Sequence, residues 1–369
     1  MLRPFNICAL LLLLYFSTGC TALHYAKIPK QNNYKIFPQR KMENADTVFY
    51  FHKPLKDCGL GKKISVTNKD FNPTDVTLDS LTQLHKTISF VIIRNDTLVY
   101  EKYKEDLDTI SVSSFSIAKP FISTLVGIAI DEGHIKSIDD KITDYLPEFR
   151  YKPLWNEISI RDLLHHTSGI KFNKLDNIKF YWSTDLRKQI SHLTLEHSKT
   201  KHFNYSSANT LLLGLILEKT TGSTVSQYLE KKIWKPLGTE APLYWSLDRS
   251  DSLALEKTFC CLQGRTLDFA KLARLYLNGG KWNNQQIVSK EWVDYSTHPD
   301  PINGNRHFYN NNWGIGPLNY GSFYAIGLYG QFLYVYPKKN IIIVRFGDAE
   351  LNYHPNYWLN IFLQIIDQL

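Results

Sequence analysis

The 369-residue chain lacks the residue spacings by which proteins usually bind metals. It contains five cysteines and twelve histidines, yet no C-x-x-C or H-E-x-x-H spacing occurs. The adjacent His165 and His166 have diverging side chains, so we expect no metal site there. Internal repeats and low-complexity runs are also missing, and the charged fraction is 21%. This composition excludes a disordered chain and predicts one large domain or two closely packed ones.

A basic stripe is missing as well. Lysine and arginine outnumber the acidic residues by 43 to 35, which gives a net charge of +8. The basic residues are scattered, however, and no run of them alternates with aromatic residues. We therefore expect no nucleic-acid partner, and only a mild attraction to anionic surfaces or substrates.

The apolar run near the N-terminus is too short to span a bilayer. Arg3 precedes apolar residues 7–16, and Gly19-Cys20 follows. This pattern predicts an export signal over residues 1–19. The small residues before Cys20 resemble a bacterial lipobox, although Ser17 stands where leucine is most common. We expect Cys20 to carry a lipid that anchors the protein in the cell envelope. A plain secretory signal or an uncleaved anchor are the alternatives.

Three cysteines remain beyond Cys20, namely Cys58, Cys260 and Cys261. An oxidising compartment permits a bridge from Cys58 to one of the adjacent pair, but nothing in the sequence demands it. We interpret these cysteines as buried thiols.

The rest of the chain predicts an α/β (α+β) fold, with an antiparallel sheet flanked by helices. Runs 89–93 and 97–103 read as a hairpin around Asn95-Asp96, and 332–336 with 341–346 as a second hairpin. A buried helix follows Ser116, and helical spacing returns over 358–369. Residues 20–75 are expected to form a linker and extension, and 76–369 the domain. A helical lobe, at about 135–250, is inserted in the α/β lobe.

Ser116 and Lys119 lie three residues apart at the start of the predicted helix, so both project from one face. Serine is a weak nucleophile unless a base or a cation activates it, and a lysine in a dry cleft can supply either. Pro120 is tolerated only near the first turn, which places Ser116 at the helix N-terminus.

Two further segments provide groups that such a nucleophile needs. Tyr205 precedes an apolar helical run and can project into a cleft, where a phenol near a lysine can transfer protons. Gly330 and Gln331 lie at the start of a predicted strand. Small residues there let a substrate approach the strand edge, and a free backbone N–H can face an oxyanion.

Together with residues 160–169, IRDLLHHTSG, these segments resemble the serine β-lactamase and penicillin-recognising hydrolase family, in its class C-like branch. That branch includes D-alanyl-D-alanine carboxypeptidases, esterases and aminohexanoate-oligomer hydrolases. The resemblance covers about residues 85–369. It implies the β-lactamase and transpeptidase type of fold and no metal or organic cofactor. His166 is assigned no catalytic role.

The resemblance implies the following roles for residues of this chain. Ser116 is the nucleophile, and Lys119 and Tyr205 act as general acid and base. The backbone N–H groups of Ser116 and Gln331 form the oxyanion site. The remaining motif positions would contact substrate: Ser207, Leu328, Tyr329 and Gly330.

Two departures from the family pattern bear on the substrate. Ser207 replaces an asparagine that binds a substrate amide in β-lactamases, and Leu328 replaces a lysine or histidine that helps to hold a carboxylate. We therefore expect a small-molecule or peptide-like ester or amide substrate. A cell-wall peptidase or β-lactamase is the first alternative, and a catalytically silent scaffold is the second.

Overall fold

The computed structural model describes residues 28–54, 60–61, 63–67, 73–104, 111–196, 202–300, 308–348 and 355–369. The predicted signal segment, the expected lipidation site at Cys20 and the cysteine at position 58 lie outside these residues. In the part of the chain that is described, no helix is long and apolar enough to cross a membrane.

The strands of the described residues pair antiparallel, apart from one isolated parallel bridge. In chain order they are β1 Gln39–Met42, β2 Ile64–Thr67, β3 Pro73–Val76, β4 Thr87–Arg94, β5 Thr97–Tyr103, β6 Val112–Ser113, β7 Leu243–Ser246, β8 Leu262–Gly264, β9 Lys281–Trp282, β10 Gln285–Gln286, β11 Tyr309–Asn310, β12 Trp313–Ile315, β13 Phe323–Gly327, β14 Gln331–Tyr336 and β15 Ile341–Gly347.

The α-helices lie mostly between β6 and β11. In chain order they are α1 Leu78–Leu84, α2 Ala118–Asp131, α3 Ile142–Tyr145, α4 Ile160–Leu164, α5 Lys174–Trp182, α6 Leu186–Ser191, α7 Ser207–Thr221, α8 Val225–Leu229, α9 Thr266–Leu277, α10 Lys290–Thr297 and α11 Pro355–Gln368. Short 3₁₀ turns include Phe115–Ile117, which leads directly into α2.

A seven-stranded sheet forms the centre, in the order β11-β12-β13-β14-β15-β4-β5. Its middle strands are apolar on both faces because both faces are covered. In β4, Val91 and Ile93 belong to the core shared with the helical region, whereas Phe90 and Ile92 pack with α11. Successive strand residues point to opposite faces, so one strand contributes to two layers.

Both predicted hairpins are present. Asn95 and Asp96 join β4 to β5 with φ of 49° and 59°. Two consecutive positive φ values match the type I′ turn that suits the twist of paired strands. The second hairpin joins β14 to β15 through residues 337–340. The predicted C-terminal helix is also confirmed, since α11 buries Trp358, Phe362 and Ile365 against the sheet. The predicted α/β fold with an antiparallel sheet flanked by helices is thus confirmed.

The segment that we expected to be an extension packs on the domain. Its strand β1 pairs with β7 in a second sheet of order β1-β7-β8-β6. Phe37, Met42 and Phe51 of this segment are buried. Burying three large apolar side chains contributes several kcal/mol, so residues 28–54 are part of the folded body.

Candidate active site

Ser116 lies in the 3₁₀ turn that opens α2, at the bottom of a large cavity. Phe115 just before it has φ of 44°, a left-handed value that bulky residues rarely adopt. Its ring is buried against Tyr329, with ring centroids 5.5 Å apart. This packing holds the unusual backbone conformation and presents Ser116 to the cavity.

Lys119 faces Ser116 from one turn further along the helix, as the sequence predicted. Its side chain is 1% exposed, and its Nζ donates to Ser116 Oγ at 3.1 Å. The same Nζ donates to the backbone carbonyl of Phe259 at 2.8 Å. The carbonyl thus fixes the amine in one position, beside the nucleophile and away from bulk water.

Tyr205 completes the expected group of three. The Lys119 Nζ lies 4.8 Å from the centroid of its ring. The tyrosine precedes α7 and is 38% exposed, so the cavity remains open to solvent beside it. The structure therefore brings together a hydroxyl, an amine and a phenol from two distant chain segments.

His166 packs against Tyr205 and hydrogen-bonds to residues that follow it in the chain. Its Nδ1 accepts the backbone N–H of Ser206 at 3.3 Å and the amide of Asn209 at 3.0 Å. With Nδ1 an acceptor, Nε2 carries the proton and donates to Tyr309 Oη at 3.1 Å. Burial, reinforced by the charge of Lys119, holds the pKa of His166 well below its usual value. The imidazole is therefore neutral, and it packs 4.7 Å from the Tyr205 ring.

Ser207 lines the cavity, as predicted, but its hydroxyl is already engaged. It donates to Asn177 Oδ1 at 2.5 Å. Asn177 lies on α5 and also lines the cavity. Sequence reasoning missed this residue because α5 carries no family motif. The pair places an amide and a hydroxyl together at the cavity wall.

The predicted site segment at residues 328–331 lies only partly at the cavity. Leu328 lines the cavity, whereas Tyr329, Gly330 and Gln331 do not. Tyr329 is turned back, and its hydroxyl donates to the carbonyl of Pro29. Gln331 is buried, and its amide exchanges hydrogen bonds with the backbone of Gly347 on β15. Its backbone pairs with Gly327 of β13 and it does not line the cavity, so the oxyanion role expected for the Gln331 N–H has no support in this arrangement.

The cavity is instead lined a few residues earlier, by residues 325–328 at the end of β13. Gly316 N–H donates to Ser322 O at 2.8 Å, which shows that Ser322 turns its backbone groups toward β12. Alternate residues of a strand turn the same way, so Tyr324 and Ile326 do so too. Strand β12 pairs with β13 only as far as Tyr324. The edge beyond it, from Ile326 to Leu328, is left unpaired by β12 and borders the cavity.

The cavity has a volume of about 990 Å³ and is built from many separate elements. Ile28 and Pro29 of the N-terminal segment line it, as do Phe203 of the loop before α7 and Tyr309 of strand β11. Sequence reasoning did not find these residues because none belongs to a motif. Among the described residues, no group of three or more His, Cys, Asp or Glu side chains is placed to hold a metal ion.

The interpretation of Cys260 and Cys261 as free thiols is wrong. Both side chains are buried, but they form a disulfide with each other. Cys260 lines the cavity, next to the Phe259 carbonyl that accepts from Lys119. The bridge therefore lies one residue from the group that fixes the lysine.

Known proteins resemble this chain in sequence and in fold. The 6-aminohexanoate-dimer hydrolase of Paenarthrobacter ureafaciens is 24% identical over 294 residues, covering 70% of this chain and 72% of that protein. A solved structure named "Putative 6-aminohexanoate-dimer hydrolase from Bacillus anthracis" matches with a TM-score of 0.82 at 19% identity, covering 92% of this chain and 94% of the other.

A family VIII carboxylesterase structure shares the fold at a TM-score of 0.58 and 17% identity, over 77% of this chain and 92% of that one. The family model described as Beta-lactamase matches residues 81–348, which is more than half of the sequence. The chain thus belongs to the Beta-lactamase family, and it is a serine hydrolase.

Proposed function

We propose that the protein cleaves an ester or amide bond through an acyl-enzyme on Ser116. The observation that carries this proposal is the 3.1 Å hydrogen bond from the buried Lys119 Nζ to Ser116 Oγ. A positioned cation stabilises the alkoxide that forms when the serine loses its proton. The lysine has no freedom to leave, because the Phe259 carbonyl holds it from the other side.

In the first step, Ser116 Oγ bonds to the substrate carbonyl carbon, and its proton passes to the Lys119–Tyr205 pair. The bond from that carbon to the leaving group then breaks, and the pair returns the proton to the leaving group. Water then attacks the acyl carbon while the pair takes up its proton. The bond from that carbon to Ser116 Oγ breaks, the serine regains its proton, and the acid is released. Positioned proton transfer of this kind contributes roughly a hundredfold to ten-thousandfold in rate.

For the oxyanion we propose the backbone N–H of Ser116 and an N–H of the unpaired edge at Ile326 or Leu328. Both segments border the cavity, so a carbonyl bound next to Ser116 would lie near both. Preorganised donors of this kind are often the largest single contribution to acyl transfer.

The two departures from the family pattern, at Ser207 and Leu328, favour the esterase and amidase side of the family. Leu328 offers no charge for a carboxylate, and the Ser207 hydroxyl is paired with Asn177. The hydrolase names of the Paenarthrobacter relative and the carboxylesterase neighbour support the same choice. A cell-wall peptidase or β-lactamase activity gains no specific support from the cavity.

Active-site labelling tests the proposal. The protein is exposed to a fluorophosphonate probe, and separately to a fluorescent penicillin, and intact mass is measured. We expect one fluorophosphonate adduct that is absent in Ser116→Ala and retained in the control Ser123→Ala, a serine of the same helix outside the cavity. Folded protein without any adduct would sink the acyl-enzyme mechanism. A penicillin adduct on Ser116 would instead restore the β-lactam alternative.

We also propose that the protein is exported and anchored through a lipid on Cys20. The support is the basic start, the short apolar run and the Gly19-Cys20 sequence. In cells that make bacterial lipoproteins, Cys20→Ser should move the protein from the membrane fraction to the soluble fraction. If the variant stays with the membrane, another tether holds it.

A further inference from the structure

The wall of the cavity above Ser116 is apolar on nearly every side. Besides Tyr205, aromatic side chains from several segments line it, among them Phe115, Tyr181, Phe203, Phe259, Tyr309 and Tyr324. Aliphatic side chains fill the spaces between them, including Ile178 of α5. A volume of about 990 Å³ is at the upper end of the range for small-molecule sites, which is roughly 300 to 1,000 Å³.

Charged groups are nearly absent from this wall. Of the described residues, no Asp or Glu lines the cavity, and the cationic residues that do are Lys119 and Lys174. The Lys119 Nζ is held by Ser116 and Phe259, and Lys174 is exposed at the start of α5. A charged group bound along the wall away from these two lysines would therefore lose its hydration without gaining a partner, which is costly.

The apolar surface continues to the mouth of the cavity. Ile28 is 47% exposed, Phe308 44% and Leu328 38%, and all three line the cavity. Single exposed apolar residues are ordinary, but a group of them around one opening marks a surface that binds apolar material. The N-terminal segment supplies part of this rim, and the hydrogen bond from Tyr329 to Pro29 fixes it there.

We propose that the acyl part of the substrate is an uncharged apolar chain of medium to long length, bound along this wall. The inference rests on the proposed acyl-enzyme mechanism and adds the substrate class. Ser116 Oγ would bond to the ester carbonyl carbon, and the C–O bond to the alcohol would break as the alcohol takes up a proton. Water would then release the fatty acid and restore the serine.

Each buried methylene gains free energy from leaving water, so the rate should depend on chain length. The test uses 4-nitrophenyl acetate, butyrate and octanoate, together with octanoyl esters that end in an ammonium or a carboxylate. We expect kcat/KM to rise at least about tenfold from acetate to octanoate, well within what six buried methylenes provide. A terminal charge of either sign should lower it by at least about tenfold, because the charge loses its hydration.

Two variants of α5 test whether the dependence of kcat/KM on chain length comes from the cavity wall. Ile178 lines the cavity, whereas Leu175 on the same helix is 65% exposed and does not. Ile178→Glu should lower kcat/KM for octanoate at least about tenfold more than for acetate, because it places a charge where the chain binds. Leu175→Glu should leave the ratio of the two rates unchanged. Fluorophosphonate labelling of Ser116 in both variants verifies that each is folded.

The outcomes separate this inference from the function on which it rests. A protein that is labelled and hydrolyses acetate, but shows no gain with chain length or tolerates a terminal charge, overturns the apolar-acyl inference alone. Equal losses on both esters in Ile178→Glu also overturn it. Folded protein with neither labelling nor hydrolysis overturns the proposed mechanism itself.

Discussion

Lowering the pH from 7 to 5 should remove a large part of the stability of this protein, because three buried histidines are held neutral. Burial lowers the pKa of His85 to about 4, with help from the charge of Arg345. Burial also lowers the pKa of His165 to about 4. The pKa of His166 is lowered well below its usual value by burial and by the charge of Lys119.

The direction of this change in stability with pH follows from how many protons the folded and unfolded states bind. In the unfolded chain each imidazole has a pKa of about 6.5, so below that pH the unfolded state binds protons that the folded state does not. Stability is therefore fully present above about pH 6.5 and is lost as the pH falls toward 4. Between pH 7 and 5 this costs about 2 kcal/mol for each of His85 and His165, and His166 adds to the loss in the same direction. Typical domains have about 5 to 15 kcal/mol in total.

The assay is urea unfolding followed by tryptophan fluorescence at pH 7, 6 and 5. His165→Gln should reduce the dependence of the unfolding free energy on pH by about a third, since it removes one of three such groups. The control is His192→Gln, which replaces an exposed histidine at the end of α6 and should leave that dependence unchanged. Equal unfolding free energies at pH 7 and pH 5 would refute the assignment of neutral buried imidazoles.

The remaining predictions concern the proton-transfer pair. Lys119→Met should lower kcat for a nitrophenyl ester at least about a hundredfold and cost about 1 to 3 kcal/mol of stability, because the Phe259 carbonyl loses its donor. The matched control Lys174→Met, at the cavity rim, should keep kcat within about threefold. Tyr205→Phe keeps the ring against His166 and should lower kcat by a similar factor with little change in urea midpoint. An unchanged kcat in either variant would remove that residue from the mechanism.

The expected positions of the nucleophile and its lysine needed little beyond local sequence. A three-residue separation at a helix start puts Ser116 and Lys119 on one face of any helix that forms there, and the apolar run after Pro120 ensures that it forms. The hairpins were equally local, because Asn95 and Asp96 tolerate the positive φ that the turn requires.

The expected oxyanion position at Gln331 found no support because motif spacing carries no information about strand pairing. Gly330 and Gln331 looked suitable for an exposed edge, yet Gln331 starts a central strand that is paired on both sides. Which strand is left unpaired depends on where β12 ends, and that is a property of the whole sheet. The disulfide was missed for a related reason, since the oxidation state of two adjacent cysteines is not encoded in their spacing.

The sequence could not predict the residues of the cavity wall, for the same physical reason. Its aromatic residues come from segments far apart in the chain, and each taken alone has the appearance of an ordinary core residue. Part of the segment expected to form a linker and extension also lines the wall, through Ile28 and Pro29.

The sequence by itself predicted the helices and hairpins that carry local signals, because short-range sterics and periodicity are sufficient for these. Its motifs, in their order and spacing, resembled the family to which the chain belongs and so pointed to Ser116 as the expected nucleophile. Only the tertiary structure decided which strand edge borders the cavity, what packs against Tyr205 and which side chains line the cavity wall. These features depend on long-range packing, in which every contact joins residues that the chain keeps apart.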